Sequence, residues 1–357
     1  MKKVLLLIFV LLMIATGCKK EDANNPPPTE TEAQNPTEQQ DNSIQGTVAE
    51  YFPIKENSLY IYTGSVESAN QETYPIFIEG NKLQRRTSAG GFISTEILSV
   101  ENSEVKLIYT NATSNGFENF LNKANPAEVV ILKEPLQLNA TWERNFVSND
   151  STAGEFKGTS KITDVNVSVT TPAGEFETLV VTTEFETGNL DVEYYAKGIG
   201  LVKREYINIT RTEKGQELSR ETVTVELSEI KEDTACEFEF TVYYPDDQVN
   251  GLLSETRKFQ LKTNEDIRPL LEGMLKKPSE GPSSPIITEN TKINTISVDS
   301  EASEVHLDLS KEFVDEMNAG SGYEALIQES LKNIFTDFYR ASSLKLTIEG
   351  EDYIPKH

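Results

Sequence analysis

Apolar side chains recur at every second position in run after run from about Val48 to Leu227, and that period admits little but antiparallel sheet. The runs include Leu59–Tyr62, Tyr74–Ile78, Val105–Tyr109, Val165–Val169, Leu179–Thr183 and Val223–Leu227. Val165, Val167 and Val169 alternate with Asn166 and Ser168, which puts three valines on one sheet face. Between Thr171 and Gly174 the proline fixes φ and the glycine permits positive φ, so two strands should meet there as a hairpin. Gly198-Ile199-Gly200 marks a second tight connection. A helical period is scarcely seen, Phe117–Ala124 being the best candidate. The pattern predicts an all-β domain over 47–232, its antiparallel sheet curved or half-closed into a barrel.

Beyond residues 231–234 the texture changes. Phe238–Tyr244 and Arg257–Leu261 read as a strand pair around the loop Pro245–Gly251. Thr263 precedes Asp266 by three, a capping-box-like start, and Ile267, Leu270, Leu271, Met274 and Leu275 follow at helical spacing until Pro278 stops the helix. Strands are expected at Lys292–Val298 and Val305–Leu309, flanking a turn at Asp299–Ser303. Ser321 then caps a second helix with the stripe Tyr323, Ile327, Leu331, Ile334 and Phe338, and Leu344–Ile348 is the last strand. The order β-β-α-β-β-α-β over 237–352 predicts an α+β unit with helices packed on one face of a sheet.

The first residues address the chain. Lys2 and Lys3 precede an unbroken apolar run from Val4 to Ile14, too short to span a bilayer but right for a signal peptide. Ala15, Thr16 and Gly17 lead into Cys18, which resembles the bacterial lipobox. That resemblance implies cleavage after residue 17 and a diacylated Cys18, two chains giving stable anchoring where one is marginal. The next segment, to residue 46, is dominated by Pro, Thr, Asn, Gln and Glu; too polar to bury a core, it reads as a disordered tether reaching about 28 Å.

A formal charge of -25 leaves no basic surface for nucleic acid, so no nucleic-acid partner is expected. With Cys18 in the leader, Cys236 is the remaining cysteine, and neither a disulfide nor a structural zinc site follows; no metal or cofactor is expected. Cys236 lies beside Glu237, which should raise its pKa and leave the thiol unreactive. His306 falls on the solvent face of its strand, and His357 is terminal. Asp246–Gly251 begins like a calcium loop, but the position that needs a bidentate glutamate holds Arg257. Glu101, Glu104, Glu184, Glu186, Asp191 and Glu193 are carboxylates in a chain full of them, and a solvated face is their expected place. Tyr60, Tyr62, Tyr194, Tyr195 and Tyr206 read as cross-strand packing rather than a sugar platform.

Phe240–Asp246, the helix through Leu270–Leu275, Thr291–Val298, Val305–Val314, the long helix and Leu344–Gly350, taken in order, resemble the GerMN domain, named for a sporulation and spore-germination protein. The resemblance covers 237–352. It implies a non-enzymatic module of membrane-attached extracytoplasmic proteins in Gram-positive bacteria, similar to modules that assemble side by side. One such domain is present where the namesake has two, and the segment Pro278–Pro285 is shortened. Pro135-Leu136 before Trp142, Thr171–Phe176 and Tyr194–Val202 resemble words of other extracytoplasmic lipoproteins, which imply no ligand. The expectation is a lipid-anchored interaction protein without enzyme activity, on the outer face of the cell membrane. Its GerMN-like domain should bind itself or an unknown protein partner through the exposed face of its second helix, at Glu329, Lys332 and Asp337. The alternative is a carrier whose β domain holds a lipid or cell-wall fragment.

Overall fold

The computed structural model describes residues 44–355 except 113, 148–154, 213, 247, 279 and 281–283. The leader, Cys18 and His357 lie outside the described residues.

A short helix, α1 (Val48–Tyr51), precedes the strands β1 (Leu59–Gly64), β2 (Gln71–Glu79), β3 (Lys82–Ala89), β4 (Phe92–Val100), β5 (Glu104–Asn111), β6 (Val129–Lys133) and β7 (Thr141–Glu143). After a minor pair, β8 (Phe146–Val147) and β9 (Glu155–Phe156), come β10 (Gly158–Thr171), β11 (Gly174–Phe185), β12 (Leu190–Ala196), β13 (Gly200–Arg211) and β14 (Glu217–Lys231). All but the minor pair form one 12-stranded sheet in the order β6-β5-β4-β3-β2-β1-β14-β13-β12-β11-β10-β7. Two antiparallel meanders are thus joined where β1 pairs with β14. The sheet curls until its outer strands meet, and Trp142 on β7 donates its indole N–H to the Val130 carbonyl on β6 at 3.2 Å. The barrel is nearly closed.

Alternation decides which residues enter it. Leu83, Leu98, Val105 and Leu132 from one meander pack against Ile162, Leu179, Val181 and Tyr195 from the other. Val48, Tyr51 and Phe52 fill the space between them at α1, and Ile44, assigned by sequence to the tether, donates its N–H to the Leu136 carbonyl. The expected hairpin forms with Thr171 opposite Gly174, whose φ is 140°. The second connection pairs Ala196 with Gly200.

Phe117–Ala124 is not a helix. Gly116 at φ 80° turns the chain out of helical space, and the fully buried Gln84 of β3 takes over the backbone groups that follow. Its amide nitrogen donates to the carbonyls of Gly116 (3.1 Å) and Glu118 (2.6 Å), while its oxygen accepts from the Phe120 N–H (2.7 Å). One side chain therefore satisfies three backbone groups, two of them in fully buried bonds, that a helix would have paired internally.

The C-terminal region contains the hairpin β15 (Cys236–Pro245) and β16 (Leu252–Leu261), α2 (Ile267–Lys276), β17 (Ile293–Asp299), β18 (Glu304–Leu309), α3 (Glu312–Asp315), α4 (Ser321–Tyr339), β19 (Ser343–Ile348) and β20 (Glu351–Asp352). The element order is the expected one with a short extra helix and a short extra strand. The strands, however, divide into a two-stranded and a four-stranded sheet. The long helix explains the split: α4 is tied to β15 by Ser330, which donates to the Tyr243 carbonyl (2.6 Å), and by the Tyr243 hydroxyl, which donates to Asp337. Its buried stripe of Ile327, Leu331, Ile334 and Phe338 shares one core with Val305, Leu307 and Leu309 of the second sheet. β18 and β19 are parallel, so α3 and α4 form the crossover between them.

The cap of α2 is Asp266, whose carboxylate accepts from the Arg268 N–H at 3.0 Å, not Thr263. Thr263 is used elsewhere: its hydroxyl donates to the Pro75 carbonyl and accepts from the Asn57 N–H, both at 2.9 Å. The cap of α4 is Gly320, one residue before the expected Ser321.

Candidate functional site

The barrel interior is half greasy and half ionic. On β12, Asp191 is fully buried and Glu193 is 4% exposed, so the expectation of a solvated face is wrong for these two. Arg204 grips Asp191 through two bonds of 2.7 and 2.6 Å. Arg144 holds Glu193 at 2.5 Å and also donates to Thr183, which bonds Ser160. Arg85 on β3 pairs with Glu96 opposite it on β4 at 2.7 Å. Three guanidinium groups thus meet three carboxylates, and the layer is neutral. Burial would push the Glu193 carboxyl up, but Arg144 and Arg204 beside it prevail and hold it below the usual carboxylate range. A carboxylate locked in its charged form by two arginines is a poor proton donor; this layer orients strands.

Among the described residues, the space beside Arg85 in the lumen is small. Beside Arg85, Phe52, Tyr60, Tyr62, Leu83 and Leu201 enclose a cavity of about 60 Å³. Tyr62 and Tyr60 donate across it to the carbonyls of Leu201 (3.0 Å) and Ile199 (3.4 Å). Burial pushes the Tyr60 phenol up to about 12. Drug-sized ligands occupy roughly 300–1,000 Å³, several times this space. Tyr195 is 1% exposed in the core, Tyr194 bonds Glu205 at 3.3 Å, and Tyr206 accepts from Asn189 at 3.0 Å. They do not converge on a platform.

Other sequence candidates fall apart in space. Glu101, Glu184 and Glu186 are exposed, and Glu104 is bound to Lys106 at 2.7 Å. His306 sits opposite the buried Val305, Leu307 and Leu309 and contacts Glu304 at 3.0 Å. In the loop after β15, Asp246 accepts from the Asn250 N–H at 2.7 Å, as a turn residue does. Arg257, where a calcium loop needs glutamate, reaches the carbonyls of Met274, Lys277 (3.0 Å) and Pro278 (2.8 Å), and so satisfies the C-terminal end of α2. Glu329 and Lys332 are exposed on α4, whereas Asp337 is occupied by Tyr243.

The feature that local sequence reading misses is the seam between barrel and C-terminal region. Phe117, from the loop pinned by Gln84, stacks on Phe338 of α4 with centroids 4.7 Å apart and meets Phe238 edge-on at 4.9 Å. Leu59, Tyr74 and Ile76 on the outer barrel face join the same core. Asn264, at φ 62°, pairs with β2 as a strand would: its side chain accepts from the Ile78 N–H (2.9 Å) and donates to the Ile78 carbonyl (3.0 Å). The Tyr74 hydroxyl donates to the Thr234 carbonyl at 2.9 Å. Cys236 lies in this seam, and burial pushes its thiol up to about 11 against the opposing charge of Arg86, with Glu72 adding to the rise.

Beyond the seam, residues 241–354 match a family model named Germane and described as sporulation and spore germination. This segment is a Germane domain. The tandem GerMN domains of the sporulation protein GerM from Bacillus subtilis share 17% identity over 33% of this chain and 41% of that one, at a TM-score of 0.25. The chain therefore spans well under half of that tandem protein. An exported protein of Bacteroides fragilis with a YmcC-like fold shares 14% identity over 50% of this chain and 98% of that one, at a TM-score of 0.32. A lipoprotein from Parabacteroides distasonis shares 14% identity over 53% of this chain and 100% of that one, at a TM-score of 0.31. No curated protein matches the chain. Among the described residues, no helix is long and apolar enough to cross a membrane.

Proposed function

We propose that this chain is a lipid-anchored extracytoplasmic interaction protein. Acylated Cys18 is its anchor on the outer face of the cell membrane, that of a Gram-positive cell by the family resemblance. The barrel acts as a filled spacer, and the Germane domain assembles with a protein partner at a distance from the lipid. The observation that carries this reading is the seam: aromatic stacking and side-chain-to-backbone bonds fix the Germane domain on the barrel, as a spacer requires. The leader and its lipobox-like end support the anchor. The exposed Glu329 and Lys332 on α4 are the surface where contact is sought. The family description, sporulation and spore germination, supports looking for the partner in that process.

The carrier reading asks for a roomy lumen, and among the described residues the space beside Arg85, about 60 Å³, is too small for an acyl chain or a wall fragment. A non-enzymatic role is consistent with interior carboxylates committed to arginines. The test is crosslinking in intact cells, comparing the native chain with Cys18→Ser. The native chain should fractionate with membranes and give a discrete crosslinked protein that is lost with Glu329→Lys/Lys332→Glu. A Cys18→Ser chain that stays on membranes overturns the anchor; crosslinks indifferent to the α4 charge swap overturn the assembly face.

A further inference from the structure

The seam encloses a cavity of about 320 Å³ between the outer faces of β2 and β3, the loop at Asn115–Phe117 and the start of β15. Its floor is aromatic, from Tyr74, Phe117 and Phe238, and among the described residues that line it the cation is Arg86. The Arg86 Nε donates to the Asn115 carbonyl at 2.8 Å. Its guanidinium carbon sits 5.1 Å from the Phe238 ring centre and 5.5 Å from that of Phe117, which fixes the plane of the fork.

What is missing is a carboxylate within ion-pair distance: Glu72 lies near enough to act on Arg86 electrostatically but does not bond it. Arg85, Arg144, Arg204 and Arg257 each have one at 2.7, 2.5, 2.6 and 2.8 Å. The chain has 58 acidic side chains against 33 basic ones, so a partner was readily available. Among the described residues, nonetheless, the terminal nitrogens of Arg86 have no hydrogen-bond or ion-pair partner. A partly buried guanidinium left in this state is pre-oriented for a bidentate anion. Glu72 and Glu239 also line the cavity without ion-pair partners among the described residues, while Glu237 is taken by Lys258 at 2.7 Å. A simple anion would be repelled by those carboxylates, and a simple cation by Arg86. A molecule carrying both charges suits the site.

We propose that this cavity binds a free α-amino acid. Its carboxylate lies on the fork of Arg86, its ammonium faces Glu72 and Glu239, and an apolar side chain rests on the aromatic floor. The inference is independent of the anchoring and assembly reading above. Bound here, the ligand would touch the barrel, the loop and the start of β15, the strand that leads into the Germane domain, and so would report an extracytoplasmic amino acid to the seam.

The test is calorimetric titration of the full Cys18→Ser chain with leucine, leucinamide, N-acetyl-leucine, acetate and inorganic phosphate. Leucine should bind saturably at one site, and loss of either its carboxylate or its ammonium should weaken binding at least about tenfold. Arg86→Gln should abolish binding, and the exposed Glu239→Gln, which leaves the seam packing untouched, should weaken it severalfold. Thermal melts of each variant show that it is folded. Absence of saturable leucine binding up to about 10 mM overturns the proposal, as does full affinity in Arg86→Gln. Equal binding of acetate or phosphate overturns the amino-acid assignment.

Discussion

Gln84 offers the sharpest test of how the seam is built. Its side chain is fully buried and makes three hydrogen bonds to the backbone at Gly116, Glu118 and Phe120. Gln84→Leu keeps the volume and removes all three. At about 1 kcal/mol for each lost bond, and up to a few kcal/mol where a stranded group stays buried, the cost should be about 3–5 kcal/mol. Gln84→Glu is more selective. One carboxylate oxygen still accepts from the Phe120 N–H, but the other then faces two carbonyls with no proton between them. The glutamate should therefore be as damaging as leucine at pH 8 and recover part of its stability at pH 5, where protonation restores one donor. With a urea dependence of roughly 3 kcal/mol per molar, the midpoint of Gln84→Leu should fall by about 1 M or more. Either variant melting within about 0.5 kcal/mol of the native chain would refute the reasoning, because the loop would then be holding itself.

Two further perturbations probe ionic groups. Burial pushes the Glu118 carboxyl up to about 7, and its Oε2 is buried without a hydrogen-bond partner. A carboxyl whose pKa is raised on folding binds more protons in the native state between about 4.5 and 7, so stability falls as pH rises through that window. Discounted for partial exposure, the penalty above pH 7 should be about 1–2 kcal/mol. Glu118→Gln should remove it, stabilising the chain at pH 8 and little at pH 5; equal effects at both pH values in urea melts contradict the assignment. In the barrel, Glu193→Gln strands Arg144, whose side chain is 11% exposed, and should cost about 3–5 kcal/mol. Replacing both by Met should recover much of that loss, and an additive double mutant would show that the two are not a pair.

Most strands could be read from alternation because it records a local fact, the pleat against a core. The ionic layer could not. Asp191 and Glu193 alternate with Leu190, Val192 and Tyr194 as a surface strand would, and what turns them inward is Arg144 and Arg204, one of them nearly fifty residues away. The Phe117–Ala124 loop failed for the same reason, since its hydrogen bonds come from Gln84 on another strand. Thr263 looked like a cap until Pro75 and Asn57 claimed its hydroxyl. The short helix α1 went unread although its signal is local: Thr47 is followed three residues later by Glu50, whose carboxylate accepts from the Thr47 N–H at 2.7 Å. That the terminal nitrogens of Arg86 lack a partner among the described residues was invisible in sequence, because a missing partner has no local pattern.

The account stands or falls on barrel and Germane domain being one body. Trp142, the single tryptophan, lies on the barrel seam between β7 and β6 and reports barrel unfolding by fluorescence, while pulsed hydrogen exchange reports the amides of α4 in the same urea series. Shared packing of Phe117 with Phe238 and Phe338 predicts a single transition with coincident midpoints. Loss of protection in α4 at a urea concentration that leaves Trp142 unchanged would contradict it.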